Sequence, residues 1–285
     1  MKWLFIGAGN MASSLVGGLI NSGEPDSAIV VIDTDKAACQ RASDQFGIRA
    51  LNSFDEGLDE ITSASESIPA TIVIAVKPHV VADVCTSIAS RVEEQTGASA
   101  TQVLPLIVSV AAGVTTSSMQ SHLPNKSAIV RCMPNTPALL GLGATALFAN
   151  PHCDESQKGL ASRLMDCAGM TRWVDDESEL DAVTAVSGSG PAYFFYLIEH
   201  MIDAGVALGL EHEIARDLAI ETAYGAASMA RKRELSPQRL RENVTSKGGT
   251  TAAALAVFDQ QQVPQIIRCA MQAARDRAVQ LGNEG

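Results

Sequence analysis

Aromatic side chains are scarce in this chain of 285 residues: they make up 4% of it, whereas apolar residues make up 46%. The core must therefore be built mainly from Ala, Val, Leu and Ile, in one large domain or two of ordinary size. No apolar run approaches the roughly 20 residues that a helix needs to cross a bilayer. The first residues lead straight into a strand-like segment, which predicts that no signal peptide is present.

Cysteine pairs and positive charge are also lacking. The six cysteines are scattered and none forms a C-x-x-C pair, which argues against a secreted disulfide framework or a zinc site and predicts a reducing, cytoplasmic location. The net charge of −11 argues against partners such as nucleic acid or an anionic membrane surface. A small anion can still bind, because a local group of backbone N–H groups can outweigh a diffuse negative field.

Short runs rich in Val and Ile alternate with helical patterns in the first half of the chain. The predicted strands are Trp3–Ile6, Ile29–Ile32, Thr71–Val76, Leu106–Val110 and Ala128–Met133, with Gly143–Phe148 and Thr171–Val174 as further candidates. The predicted helices are Met11–Asn21, Lys36–Phe46, Val80–Arg91, Thr115–Ser121 and Glu155–Ala168. This alternation predicts a doubly wound α/β domain with a parallel sheet.

The second half is helical throughout and rich in Ala and Leu. Its predicted helices are Tyr193–Leu208, Ile214–Arg233, Pro237–Val244, Thr251–Phe258 and Gln265–Leu281. We therefore predict an α/β domain over residues 1–176 and an all-helical domain over residues 177–285. Ala215–Ala230 has small residues on more than one face, which fits a tightly packed monomeric bundle but favours helices that also pack against a second subunit.

A glycine-rich loop follows the first predicted strand, with the pattern Gly7-x-Gly9-x-x-Ala12. In the dinucleotide-binding fingerprint the first glycine permits a tight turn, and the second lets the pyrophosphate approach the backbone. The third small residue allows close packing of helix on strand. The placement after a strand favours this interpretation over a purely structural turn.

Asp33 ends the second predicted strand, within Asp33-Thr34-Asp35-Lys36. A carboxylate there can accept hydrogen bonds from both hydroxyls of the adenosine ribose, and it repels a 2′-phosphate. The sequence thus favours NADH over NADPH and predicts that Asp33→Ala relaxes this preference. The alternative is that Asp33 only caps the next helix.

Two later strands also end in residues suited to a ligand. Lys77 and Pro78 follow one of them, where ligands bind in such sheets, although Lys77 could equally be a solvated surface residue. Ser109–Gly113 follows the other, and its small residues would let a flat nicotinamide ring lie close.

A second glycine-rich loop, Val244–Thr251, precedes the apolar run Ala252–Phe258. Its adjacent glycines allow close backbone approach, and the start of the following helix offers free N–H groups and the positive end of the helix dipole. We expect this loop to hold an anionic group.

These motifs together resemble the pyrroline-5-carboxylate reductase family, over nearly the whole chain and in family order. They are Ile6–Ala12, Ala75–Pro78, Ser109–Thr115, Met133–Pro137, Asp181–Thr184, Val186–Tyr193 and Asn243–Thr251. The resemblance implies an N-terminal Rossmann-type doubly wound sheet followed by an all-helical dimerisation domain, with active sites that use residues from two subunits. One departure is Lys247, where many members have proline.

The resemblance also implies the reaction and the residues that serve it. Hydride would pass from NADPH or NADH to the C=N bond of 1-pyrroline-5-carboxylate, giving L-proline. The implied cofactor-binding residues are Ile6, Gly7, Ala8, Gly9, Asn10, Met11, Thr34, Ala75, Val76, Lys77, Pro78, Val110, Ala111, Ala112 and Asn243. Asp33 joins them as the acid at the end of the second predicted strand. The implied substrate-binding residues are Ser246, Gly249, Thr250 and Thr251. We expect the Thr251 hydroxyl to bind the ring nitrogen as the catalytic group.

Two other functions are considered. A β-hydroxyacid dehydrogenase would pair similar domains but would use a lysine in the helical domain, and the first long helix, Ala192–Leu208, contains none. A dinucleotide-binding regulator without turnover would not need the second glycine-rich loop.

Overall fold

The computed structural model describes residues 2–62, 70–96, 104–232 and 234–284. Its centre is an eight-stranded sheet with the order β3-β2-β1-β4-β5-β6-β7-β8. The strands are β1 Lys2–Ile6, β2 Ile29–Ile32, β3 Arg49–Leu51, β4 Ala70–Ile74, β5 Leu106–Ser109, β6 Ile129–Met133, β7 Gly143–Ala149 and β8 Gly169–Trp173. Neighbouring strands are parallel except β6 and β7, which are antiparallel.

The described helices connect these strands and then make up most of the rest of the chain. They are α1 Asn10–Asn21, α2 Lys36–Phe46, α3 Phe54–Thr62, α4 Val81–Thr96, α5 Thr116–Gln120, α6 Glu155–Asp166, α7 Glu179–Val183, α8 Gly190–Ala207, α9 His212–Arg231, α10 Pro237–Asn243, α11 Thr250–Gln260 and α12 Val263–Glu284. A π-helical turn, Thr184–Gly188, joins α7 to the residues before α8.

Both faces of the sheet are covered, as the doubly wound prediction requires. Trp3 and Phe5 of β1 belong to one hydrophobic cluster, whereas Leu4 and Ile6 belong to the other. Since successive side chains of a strand point to opposite faces, this division places one cluster on each face of the sheet. The predicted fold class is confirmed, including the N-terminal Rossmann-type sheet and the helical segment after it.

The elements differ from the prediction in several places. The short edge strand β3 and the helices α3 and α7 are absent from the elements predicted from the sequence. The sheet is also not wholly parallel, because β7 runs antiparallel to β6. A chain reversal from β6 to β7 needs only a short connection, and residues 134–142 provide it.

The chain separates into two compact units. One contains residues 1–188 and 274–285, and the other contains residues 189–273. Residues 177–188 group with the first unit because Glu177 bonds to Arg131 of β6 and α7 packs against β7. The boundary after residue 176 stays a prediction about the domains. None of the described helices has the length and apolar character that a bilayer crossing needs.

Candidate functional site

The first glycine-rich loop makes a tight turn between two neighbouring strands. Gly7 has a φ of +108°, and a Cβ on it would lie 2.6 Å from the Ala75 carbonyl oxygen. The Gly7 N–H donates to the Ile32 carbonyl at 2.7 Å, and the Ala75 N–H donates to the Ile6 carbonyl at 2.8 Å. The backbone is therefore pinned between β2 and β4, and only glycine fits this position without strain.

Gly9 directly precedes α1, and the space that a side chain on Gly9 would occupy is open. It is the N-cap, with φ −75° and ψ −177°, and a Cβ on it would meet nothing within 4 Å. Among the described residues, no acceptor takes the backbone N–H of Asn10, Met11 or Ala12. This opening and the free donors at a helix N-terminus fit a dinucleotide pyrophosphate.

Asp33 lies beside this loop and is half-buried. Its Oδ2 accepts from the Ala8 N–H at 2.7 Å, and its Oδ1 accepts from the Asp35 N–H at 2.9 Å. The cap of α2 is Asp35, whose carboxylate accepts from the Ala37 N–H. The capping alternative for Asp33 is therefore wrong. Thr34, the other predicted residue here, is exposed.

The other predicted cofactor residues follow β4 and β5. Ala75 and Val76 are half-buried, and Lys77 is exposed just before a 3₁₀ turn that begins at Pro78. The Val110 N–H donates to the Ile74 carbonyl at 3.0 Å. Ala111 is buried and Ala112 is exposed. Because β1, β4 and β5 are parallel neighbours, the structure brings their following loops to one edge of the sheet.

A buried ion-pair network, which the motifs in the sequence do not predict, lies at the start of α5. Arg131, 4% exposed, donates to Glu177 Oε1 at 3.1 Å. Glu177 also accepts from the Thr116 N–H at 2.8 Å and from the Thr116 hydroxyl at 2.7 Å. Asp181 lies 3.9 Å from the same guanidinium. The signal was available, since an arginine inside an apolar strand must find a carboxylate partner.

This network borders a cleft of about 200 Å³ in the first unit. Gly113 lines it from the loop after β5, and Gly282 lines it from the end of α12. A Cβ on Gly113 would lie 3.3–3.4 Å from the backbone of Leu281 and Gly282. The loop after β5 is therefore supported on one side by Glu177, through the start of α5, and on another by α12.

The second glycine-rich loop lies in the second unit, between α10 and α11. Asn243, the last residue of α10, is exposed. Gly248 has a φ of +73°, and Gly249 is the N-cap of α11, with its N–H bonded to the Ser246 carbonyl at 3.0 Å. In the described part of the chain, no acceptor takes the N–H of Thr250, Thr251 or Ala252. These three donors suit a carboxylate.

The two threonines at the start of α11 differ in exposure. Thr250 is exposed and Thr251 is half-buried. Neither hydroxyl makes a hydrogen bond with another described residue. The Thr251 hydroxyl is therefore free to bind a ligand, and Ser246, whose Oγ lies close to Gly249, borders the same loop.

The described residues form no cluster of metal ligands, and three of the cysteines are poorly suited to nucleophilic attack. Within the described residues, no group of three or more His, Cys, Asp or Glu side chains could hold a metal ion. Burial raises the pKa of the Cys85 thiol to about 12 and the pKa of Cys153 and Cys167 to about 11. These thiols stay protonated at neutral pH, which makes them poor nucleophiles.

Comparison with known proteins gives full-length matches. The pyrroline-5-carboxylate reductase of Pseudomonas aeruginosa is 40% identical over 98% of this chain and 96% of its own length. That of Vibrio alginolyticus is 41% identical over 98% of this chain and 97% of its own length. The chain belongs to the pyrroline-5-carboxylate reductase family. The family model for "Pyrroline-5-carboxylate reductase dimerisation" matches residues 177–281, and the model for "NADP oxidoreductase coenzyme F420-dependent" matches residues 2–102.

Solved structures agree with this assignment. The pyrroline-5-carboxylate reductase of Coxiella burnetii has a TM-score of 0.87 and 36% identity, and the match covers 98% of both chains. The pyrroline carboxylate reductase of Plasmodium falciparum, solved with NADP bound, has a TM-score of 0.81 and 26% identity, over 99% of this chain and 98% of that one. The predicted family is confirmed, as are the predicted use of a nicotinamide cofactor and the prediction of a homo-oligomer built through the helical domain.

Proposed function

We propose that this protein reduces 1-pyrroline-5-carboxylate to L-proline with NADPH or NADH, the last step of proline biosynthesis. The family assignment supports the reaction. The observation that carries the substrate class is the start of α11, where three backbone N–H groups and the Thr251 hydroxyl have no partner among the described residues. A small cyclic imine with one carboxylate has a complementary set of acceptors.

Different predicted site residues would bind different parts of the cofactor. Gly7–Met11, Asp33 and Thr34 would hold the adenosine and pyrophosphate, and Ala75–Pro78 with Val110–Ala112 would hold the nicotinamide end. When bound, the reduced nicotinamide would supply a hydride, which is one proton with two electrons, to the imine carbon, while a second proton reaches the nitrogen. Asn243 would also contact the cofactor in this proposal, although it directly precedes the second glycine-rich loop.

At the second loop, the chain's own groups bind and orient the substrate. The N–H groups of Thr250 and Thr251, with the helix dipole, would hold the carboxylate, and Ser246 and Gly249 would shape its binding site. The Thr251 hydroxyl would bond to the ring nitrogen: it would donate to a neutral imine and relay a proton to it, or accept from the N–H of an imine that binds already protonated. No buried acid–base pair is required if the imine binds in its protonated form, so positioning carries much of the rate.

Two finer points belong to the same proposal. Asp33 and Asp35 place two carboxylates next to the predicted adenosine ribose, which favours NADH, since a 2′-phosphate would be repelled. A cytoplasmic location is supported by cysteines that form no disulfide among the described residues, as a reducing compartment would require.

The substitution Thr251→Ala tests the catalytic role. We expect kcat/KM to fall about 10- to 100-fold, which corresponds to ~1.4–2.7 kcal/mol for one transition-state hydrogen bond. Thr251→Ser keeps the hydroxyl and should retain most of the activity. Steady-state rates of NAD(P)H oxidation with 1-pyrroline-5-carboxylate give both values, and circular dichroism checks the fold. An alanine variant as active as the wild type would remove Thr251 from the mechanism.

The reaction itself has a separate test. The wild-type protein should oxidise NAD(P)H with 1-pyrroline-5-carboxylate and should not reduce NAD(P)⁺ with a β-hydroxyacid. The opposite pattern would favour the dehydrogenase alternative, and no turnover with either substrate would favour a dinucleotide-binding regulator.

A further inference from the structure

Asp33 connects two loops that are far apart in the sequence. The Ala8 N–H donates to its Oδ2 at 2.7 Å across 25 positions of the chain. The Asp35 N–H donates to its Oδ1 at 2.9 Å. One carboxylate thus bridges the loop after β1 and the loop after β2, and both bonds are charge-assisted.

The hydrogen bond from the Ala8 N–H to Asp33 holds a part of the loop that has few other bonds. Gly7 is fixed by its own N–H bond to Ile32 and by its contact with Ala75. Beyond Ala8, the N–H groups of Asn10, Met11 and Ala12 have no acceptor among the described residues. Within the described structure, Asp33 is therefore the acceptor that holds the segment between the two glycines in place.

We propose that Asp33 is a positioning residue that fixes the Gly7–Gly9 loop in its binding conformation before a dinucleotide arrives. This inference rests on the proposed use of that loop for a nicotinamide dinucleotide. Each carboxylate oxygen keeps a second lone pair after accepting one backbone N–H, so the same group can still bind a ribose hydroxyl. The positioning role acts on NADH and NADPH alike, whereas repulsion of a 2′-phosphate acts on NADPH alone.

NADH binding by Asp33→Ala separates the two roles. If Asp33 acts only against the 2′-phosphate, the substitution leaves NADH binding little changed or slightly weaker and tightens NADPH binding. If Asp33 also positions the loop, the dissociation constant for NADH rises by about 10-fold or more for the lost charge-assisted bond, and the gain in NADPH binding is smaller by the same factor. Asp33→Asn retains one acceptor oxygen and should fall between the wild type and the alanine variant. Titration calorimetry with each dinucleotide measures these constants without turnover.

Asp35→Ala is the matched control. It removes a carboxylate of the same charge two positions away, one that caps α2 and lies 3.8 Å from Arg41. Its side chain makes no contact with the Ala8 N–H, and its own backbone N–H, which Asp33 accepts, remains. A general effect of charge would therefore appear in both variants, and a positioning effect only in the Asp33 variants.

Hydrogen exchange of the Ala8 amide in the cofactor-free protein is the deciding measurement. We expect exchange at Ala8 to accelerate at least 10-fold in Asp33→Ala and to stay unchanged in Asp35→Ala, with exchange in the β1 core unaltered in both. Unchanged Ala8 exchange, or NADH binding by Asp33→Ala as tight as that of the wild type, would overturn the positioning role. Neither readout needs the imine substrate, so failure of the proposed reaction would leave this test intact.

Discussion

The two units of the chain differ in how far their apolar side chains are buried. In the first, Trp3 and Phe5 are fully buried between the sheet and its helices. In the second, the buried residues among those described are Gly190, Ala215 and Ala219, while Phe194 and Phe195 of α8 are 63% and 65% exposed. The first unit completes its core within one chain. The second leaves apolar helix faces uncovered, which is what a dimerisation domain requires.

A negative charge introduced on the exposed apolar face of α8 should weaken the dimer, and this is the largest effect that we expect. We expect Phe195→Glu to raise the dimer dissociation constant at least 100-fold, or ~2.7 kcal/mol, because an interface would have to bury an unpaired carboxylate. Light scattering after size-exclusion chromatography would show a shift toward monomer. Gln260→Glu adds the same charge at a polar, exposed position of α11 and should leave the dimer intact. An unchanged dimer in both variants would exclude this face of α8 from the interface.

The same comparison explains what could be predicted from the sequence. The middle of the first unit's sheet follows period and composition closely, because β2, β4 and β5 are buried and consist mainly of Val and Ile. The edge strand β3 was missed, since Arg49–Leu51 has three residues and its first is exposed. β7 runs antiparallel to β6 because the connection after β6 reverses the chain. Hydrophobic periodicity does not indicate the direction of a strand.

The site was predictable as a set of motifs but not as a set of contacts. The glycine-rich loop and Asp33 were identified separately, and their bond through Ala8 depends on the pairing of β1 with β2. Glu177 was not identified, because its partners Thr116 and Arg131 lie 61 and 46 positions away along the chain. Tertiary hydrogen bonds of this kind leave no local pattern.

Alanine substitutions at the two glycines of the first loop should have different effects, one mainly on stability and the other mainly on dinucleotide binding. Gly7→Ala places a methyl group 2.6 Å from the Ala75 carbonyl oxygen at a φ of +108°, and we expect it to lower the free energy of unfolding by about 2–3 kcal/mol. Gly9→Ala has open space and an ordinary φ of −75°, so it should cost about 1 kcal/mol or less.

Gly9→Ala should instead weaken dinucleotide binding about 10-fold or more, because its methyl group points into the space that the pyrophosphate would use. Thermal unfolding at equal protomer concentration and calorimetric titration distinguish the two variants. Equal losses of stability would mean that Gly9 is also constrained by the fold, contrary to its open surroundings.

Substitutions in the second loop, like Gly9→Ala, should have small effects on stability. A Cβ on Gly248 would meet nothing within 4 Å, so only its φ of +73° opposes a side chain. We expect Gly248→Ala to cost about 1 kcal/mol. At Gly249 the φ of −80° is ordinary, and a Cβ would displace the Ser246 hydroxyl and lie 3.3 Å from the Ser246 carbonyl oxygen. Gly249→Ala should therefore cost little stability and raise the KM for the imine. If Gly248→Ala instead destabilised the dimer as much as Gly7→Ala, the open surroundings of this loop would hold only for the single chain. The partner subunit would then have to enclose it.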